Sequence, residues 1–145
     1  MKRYDFIIAG AGGAGLGLAL QLLDSSFKNH SILLVDRDTK QKDDRTWCFW
    51  GDQETACTDI AKYAWENMTI RSESFHKKIN LTKDIKPGWK YWMVSSLDFY
   101  NHALDRIKQA QNVDFILGEI EKVESNKEKA SLWVNGEEYQ ADWLF

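Results

Sequence analysis

The run Gly10-Ala11-Gly12-Gly13-Ala14-Gly15 constrains this chain more than any other stretch, because of what flanks it. Before it stands Asp5-Phe-Ile-Ile-Ala9, an apolar run with the composition of a buried strand. After it stands Leu16-Gly-Leu-Ala-Leu-Gln-Leu-Leu23, rich in helix formers. Glycines spaced G-x-G-x-x-G between a strand and a helix form a dinucleotide-binding fingerprint in the context it requires. Gly10 permits a tight turn out of the strand. Gly12, lacking Cβ, lets a pyrophosphate approach the backbone. Gly15 lets the helix pack close to the strand. A helix starting near Gly12 aims its unsatisfied N–H groups and its positive dipole end at the phosphates.

A second signal follows at the right distance. Ser31-Ile-Leu-Leu-Val-Asp36 reads as the next parallel strand, and Asp36 ends it about 20 residues after Gly15. A carboxylate there accepts hydrogen bonds from both ribose hydroxyls and repels a 2′-phosphate, which disfavours NADP. The residues leave two alternatives open. One is a glycine-rich turn that binds nothing. The other is the choice between NAD and FAD.

The rest of the chain reads as α/β with an antiparallel addition. Leu16, Ala19, Leu20 and Leu23 form the inner face of the first helix. Arg37 to Asp44 is polar and aperiodic, hence a loop. Asp59 to Trp65 suits a short helix, and the segments around 68–75 and 76–81 suit a hairpin outside the main sheet. Tyr91–Val94 is a short strand. Ser95 and Asp98 then open a helix in the manner of a capping box, and Leu97, Tyr100, Leu104 and Ile107 continue it to about Ala110. Val113–Leu117 is a strand, and Ile120 and Val123 lie in an extended run after Gly118. Ala130–Val134 and Glu137–Ala141 flank Asn135-Gly136, a hairpin signal. Asp142–Phe145 begins one more strand. The predicted class is a Rossmann-like dinucleotide-binding domain: a parallel sheet plus an antiparallel hairpin or meander. The expectation is a single domain over 1–145, forming the truncated N-terminal part of a longer protein.

Composition excludes several functions. A net charge of −3 gives no electrostatic case for nucleic acid. Cys48 and Cys57 stand in no metal or redox spacing, and His30, His76 and His102 are scattered, so no metal site is expected. Lys2 and Arg3 run directly into a strand, unlike a signal peptide, and the expected location is cytoplasmic. Aromatics are abundant, with seven tryptophans. They gather at Trp47, Phe49 and Trp50 and again at Trp89, Tyr91 and Trp92. Two roles fit them equally: filling a core, or lining a groove for a long apolar ligand.

Asp44-Arg45-Thr46-Trp47-Cys48-Phe49-Trp50, following the Asp36-Arg37 strand end, resembles the Asp/Asn-x-Thr-Trp-x-Phe signature of bacterial lycopene β-cyclases. Tyr91-Trp92 and the Ser95–Asp98 helix start are also similar to that group. The likeness runs from Tyr4 to Phe145, within a flavin-monooxygenase-like fold. It implies an FAD enzyme reduced by NAD(P)H that folds the ends of an acyclic carotenoid such as lycopene into β-ionone rings. The implied route is proton-initiated, without net redox change. On this resemblance Gly10, Ala11, Gly12, Gly13, Ala14 and Gly15 would hold the FAD pyrophosphate, and Asp36 the adenosine ribose. Arg37 would lie near the adenine. Arg45 would approach the flavin phosphates or ribityl chain, against the alternative of a solvated loop arginine. The backbone near Ile120 would meet adenine, against the alternative of plain strand core. Peripheral membrane association on the inner face, through a surface patch around Trp47 and Trp92, is a further implication. The family's acidic residues for acid chemistry belong to a C-terminal part. Asp43, Asp44, Asp52 and Glu54 show no carboxylate-pair spacing, so no catalytic residue is nominated. A related flavin monooxygenase, a polyprenyl reductase and a non-catalytic nucleotide-binding fragment are the alternative readings.

Overall fold

The computed structural model describes Lys2–Phe145 and divides into two compact units. The first comprises the described residues up to Gln41 together with Tyr100–Phe145, and the second is Lys42–Phe99.

The first unit is built on β1 (Lys2–Ala9), α1 (Gly13–Leu23) and β2 (Ile32–Asp36). It continues with most of α2 (Ser96–Gln109), then β8 (Val113–Leu117), β9 (Ile120–Ser125), β10 (Ala130–Val134) and β11 (Glu137–Leu144). Its six strands take the order β8-β2-β1-β11-β10-β9. The β8, β2, β1 and β11 strands are parallel, and β9 and β10 run antiparallel to their neighbours. Ile32, Leu33, Leu34 and Val35 of β2 are all fully buried, as expected of a central parallel strand covered on both faces. Ile7, Leu33, Val35, Leu132 and Val134 form the heart of the core on one face.

Two sequence expectations change in this unit. Residues 142–144 are not a new strand but the continuation of β11. The strand bonds β10 through Ala141 on one edge and β1 from Tyr139 to Leu144 on the other, so one extended segment serves both ladders. In α1, Leu22 is buried and Leu23 only partly so. Charged and polar groups tie the ends of the elements. Ser31 donates to Asp5 Oδ2 from its backbone N–H at 2.6 Å and its hydroxyl at 2.8 Å, joining the middle of β1 to the start of β2. Arg106 grips Asp24 at the end of α1 with two bonds, 2.6 and 2.9 Å.

The second unit contains β3 (Thr46–Gly51), β4 (Tyr63–Trp65), β5 (Asn67–Arg71), β6 (His76–Asn80) and β7 (Lys90–Ser95). The β3, β7 and β4 strands form one antiparallel sheet, and β5 with β6 forms the hairpin expected from sequence. The helix expected over 59–65 is instead a 3₁₀ turn, Thr58–Ile60, followed by β4. A seven-residue helix nucleates poorly, whereas Tyr63 and Trp65 gain cross-strand partners in Met93 and Tyr91. The helix start is as predicted: Ser95 Oγ donates to Asp98 Oδ2 at 2.5 Å and accepts the Asp98 N–H at 3.3 Å.

The pleat of this sheet divides the aromatic clusters that look uniform in sequence. Trp92 is buried, its indole N–H bonded to Gly51 O at 2.8 Å, and Trp47 packs edge-on against Phe99 at 5.3 Å. Trp50, one pleat away, is exposed and packs at a tilt on Tyr91 at 4.3 Å, and Tyr91 meets Trp65 at 6.2 Å. Trp92, expected at a surface patch, is thus turned inward, and the exposed large aromatics of this sheet are Trp50, Tyr63 and Trp65. No helix among the described residues is long and apolar enough to cross a membrane.

Candidate functional site

The order of the main sheet creates a site before any side chain is considered. Neighbours of β1 lie on opposite sides of it in chain order, β2 on one side and β11 on the other. Such a reversal opens a crevice at the carboxyl ends of the strands, where ligands of α/β sheets bind. Gly10 begins the loop at that end of β1.

The loop then takes the shape its glycines permit. Gly10 has φ +123°, a conformation that favours glycine, and its N–H bonds Val35 O at 2.8 Å. Gly12 is the N-cap of α1 and offers no side-chain cap to the helix. The first N–H groups of the helix therefore have no acceptor from within it and face outward from its positive end. A Cβ built on Gly12 would meet nothing within 4 Å, so the space in front of this backbone is open. A Cβ on Gly15 would lie 1.8 Å from Gly10 O and 3.1 Å from Ile8 Cγ2. The two glycines thus serve different ends, one clearing an approach and one allowing the helix to touch the strand.

Asp36 stands beside this loop. Its Oδ2 accepts the Ala11 N–H at 2.7 Å and lies 2.9 Å from Lys40 Nζ, while its Oδ1 accepts the Asp38 N–H at 2.8 Å. Burial by itself would raise its pKa. The Lys40 hydrogen bond, the two N–H donors and the Lys40 charge outweigh it and hold the carboxyl below its usual range. Gly118 N donates to Asp36 O at 2.9 Å, which brings the 118–120 segment to the same corner. Ile120 itself is half-buried, paired with Val134 and packed against the core. Arg37 is exposed next to Asp36. Arg45 belongs to the second unit, where its side chain is exposed and lies 3.7 Å from Asp44 Oδ2. The fold therefore gathers Gly10, Ala11, Gly12, Gly13, Ala14, Gly15, Asp36, Arg37 and the Gly118–Ile120 backbone around one end of one unit.

Sequence reasoning missed Lys40. The only signal for it was its position four residues after Asp36, within a stretch read as featureless loop. No cluster of potential metal ligands occurs among the described residues. Chemically, the corner presents backbone donors for an anionic diphosphate and a carboxylate for a sugar diol.

Depressed carboxyls make the stability of the fold sensitive to acid. Hydrogen bonds from the Ser31 hydroxyl and N–H hold Asp5 low, and the Arg106 hydrogen bond outweighs burial to hold Asp24 low. Each has a folded pKa below its unfolded value, so its stabilisation is complete above that unfolded value and is lost as pH falls through the folded one. The melting temperature is expected to hold from neutrality to about pH 5 and to drop below about pH 4. Circular-dichroism melts of the parent and of Asp5→Asn check this. The variant should start lower at neutral pH and lose less on acidification, and parallel curves would reject the assignment.

The parallel half-sheet, its switch-point glycine loop and the appended meander define a Rossmann-like α/β fold. The chain belongs to the lycopene cyclase family, whose model, described as lycopene cyclase protein, matches residues 5–144. Among solved structures it is similar to p-nitrophenol 4-monooxygenase PnpA from Pseudomonas putida DLL-E4, with 13% identity and a TM-score of 0.75 over 99% of this chain and 40% of that one. It is similar also to PqsL, a probable FAD-dependent monooxygenase from Pseudomonas aeruginosa, with 13% identity and a TM-score of 0.73 over 99% and 42%. A third is the flavin-dependent monooxygenase PieE in complex with FAD and substrate, with 16% identity and a TM-score of 0.71 over 98% and 29%. The chain thus spans well under half the length of these structures. No curated protein matches it.

Proposed function

We propose that this chain forms the FAD-binding part of a lycopene cyclase. The observation that carries the reading is the open cradle at Gly12 beside Asp36, at the sheet's switch point, in a chain of this family. The residues fit the group. The α1 N-terminus offers N–H donors to a pyrophosphate that a Cβ at Gly12 would obstruct. Asp36 addresses the adenosine ribose, with Arg37 alongside it, and the backbone of 118–120 borders the adenine. Arg45 is assigned to the flavin phosphates or ribityl chain by the family signature alone.

In the proposed reaction a proton adds to the end-group double bond of an acyclic carotenoid. The resulting carbocation closes the ring and a proton leaves, with no net oxidation. When bound and reduced by NAD(P)H, FAD would supply negative charge or a proton-transfer group near the developing cation. This chain's contribution is to bind the nucleotide and fix its orientation; the acid–base residues belong to the remainder of the enzyme. Access to a bilayer-dissolved substrate fits peripheral membrane contact, for which Trp50, Tyr63 and Trp65 are the exposed aromatic groups.

The purified protein should gain thermal stability with FAD and little with NAD. No shift with FAD removes the cofactor assignment. The full-length gene, expressed in cells that accumulate lycopene, should yield a cyclic carotene. Its absence removes the substrate assignment. The fold likeness to monooxygenases favours one second reading, a flavin monooxygenase, which predicts NAD(P)H oxidation with oxygen uptake instead.

A further inference from the structure

We propose that Lys40 is a positioning residue of the ribose corner, holding Asp36 in place and offering an N–H to the sugar diol. The inference rests on the nucleotide reading above and adds a residue to it.

The loop after β2 is folded to bring Lys40 back. Asp36 Oδ1 accepts the Asp38 N–H at 2.8 Å, and Asp38 Oδ1 in turn accepts the Lys40 N–H at 2.7 Å. These two successive Asx-type turns reverse the chain. Lys40 closes the reversal with φ 58°, a left-handed conformation that lysine rarely adopts. Its ammonium then lies 2.9 Å from Asp36 Oδ2 and 5.8 Å from the centroid of the Tyr100 ring. Both charged side chains are withdrawn from water, Lys40 to 14% exposure and Asp36 to 11%. A surface lysine on a polar loop has no need of such a conformation. Here the loop spends it to put an ammonium on the carboxylate.

Counting donors and acceptors assigns the role. A carboxylate offers about four acceptor positions. Three are taken, two on Oδ2 by Ala11 and Lys40 and one on Oδ1 by Asp38. A ribose brings two neighbouring hydroxyls, so Asp36 cannot accept from both while keeping these partners. One hydroxyl donates to the remaining position on Oδ1. The other meets the Lys40 ammonium, which has three N–H donors and gives one to Asp36. In this arrangement the two hydroxyls divide between an acceptor on Asp36 and a donor on Lys40, where the sequence reading gives both to Asp36.

The test compares ADP with 2′-deoxy-ADP and 3′-deoxy-ADP as competitors for bound FAD, read by flavin fluorescence. The parent should prefer ADP over at least one deoxy analogue by about tenfold, the scale of a charge-assisted hydrogen bond. Lys40→Met should reduce that preference to about twofold or less. Lys40→Gln, which keeps an N–H donor without the charge, should retain part of it. A preference unchanged in Lys40→Met, or an equal loss of affinity for all three ligands in both variants, overturns the role of Lys40 and leaves the FAD site standing. If the parent binds neither FAD nor ADP, the nucleotide reading falls, and the role of Lys40 with it.

Discussion

Gly12→Val is expected to weaken FAD binding at least a hundredfold, about 2.8 kcal/mol, while the protein remains folded. Two facts set these directions. The Gly12 backbone has φ −77° and ψ −171°, extended angles open to any residue, and an added Cβ meets no protein atom within 4 Å. The folded chain therefore accommodates valine, at a cost of about 1 kcal/mol or less for the poorer helix N-cap. The same empty space is the approach to the helix N-terminus, and a branched side chain would stand in it. Titration by flavin fluorescence together with a urea melt separates the two effects. Unchanged FAD affinity would refute the placement of the pyrophosphate. A collapse of the melt would refute the claim that this space is free of structural duty.

Gly15→Ala should do the reverse. One methyl group is added, yet it would lie 1.8 Å from Gly10 O, a backbone atom that cannot swing aside. Relief requires α1 to move off β1, where Leu16, Ala19 and Leu20 are buried. Overpacking of a tight core ordinarily costs about 1–3 kcal/mol, and a clash with backbone belongs at or above the top of that range. The expected result is a urea midpoint lowered by the equivalent of about 3 kcal/mol, with FAD binding reduced only as far as the folded fraction falls. A midpoint within experimental error of the parent would show that the helix does not need this close approach. Two glycines three residues apart in one motif are thus separable by experiment, one answering to ligand and one to packing.

Much of this was legible in the sequence where the interactions are local. The strand, glycine loop, helix and second strand of residues 5–36 follow from composition and spacing, and the helix after Ser95 follows from its cap. Errors fell where a distant partner decides the outcome. Tyr63–Trp65 has the composition of a short helix or a strand, and β7, about 30 residues later, makes it a strand. Asp142–Leu144 extends β11 because β1, at the other end of the chain, offers a free edge. Lys40 was invisible because nothing in Thr39-Lys-Gln-Lys42 distinguishes one lysine from the next.

The sequence by itself determined that a strand-loop-helix unit with a trailing carboxylate would form, since turn geometry, helix nucleation and the Gly-x-Gly spacing act over a few residues. Only the tertiary structure decided what surrounds that unit. Placing β11 against β1 made the carboxyl end of β1 a switch point. The pleat of the β3-β7-β4 sheet sent Trp92 inward and Trp50 outward. A left-handed turn laid Lys40 on Asp36. Each depends on register or on contacts between residues far apart in the chain, and such contacts leave no periodic trace in the order of amino acids.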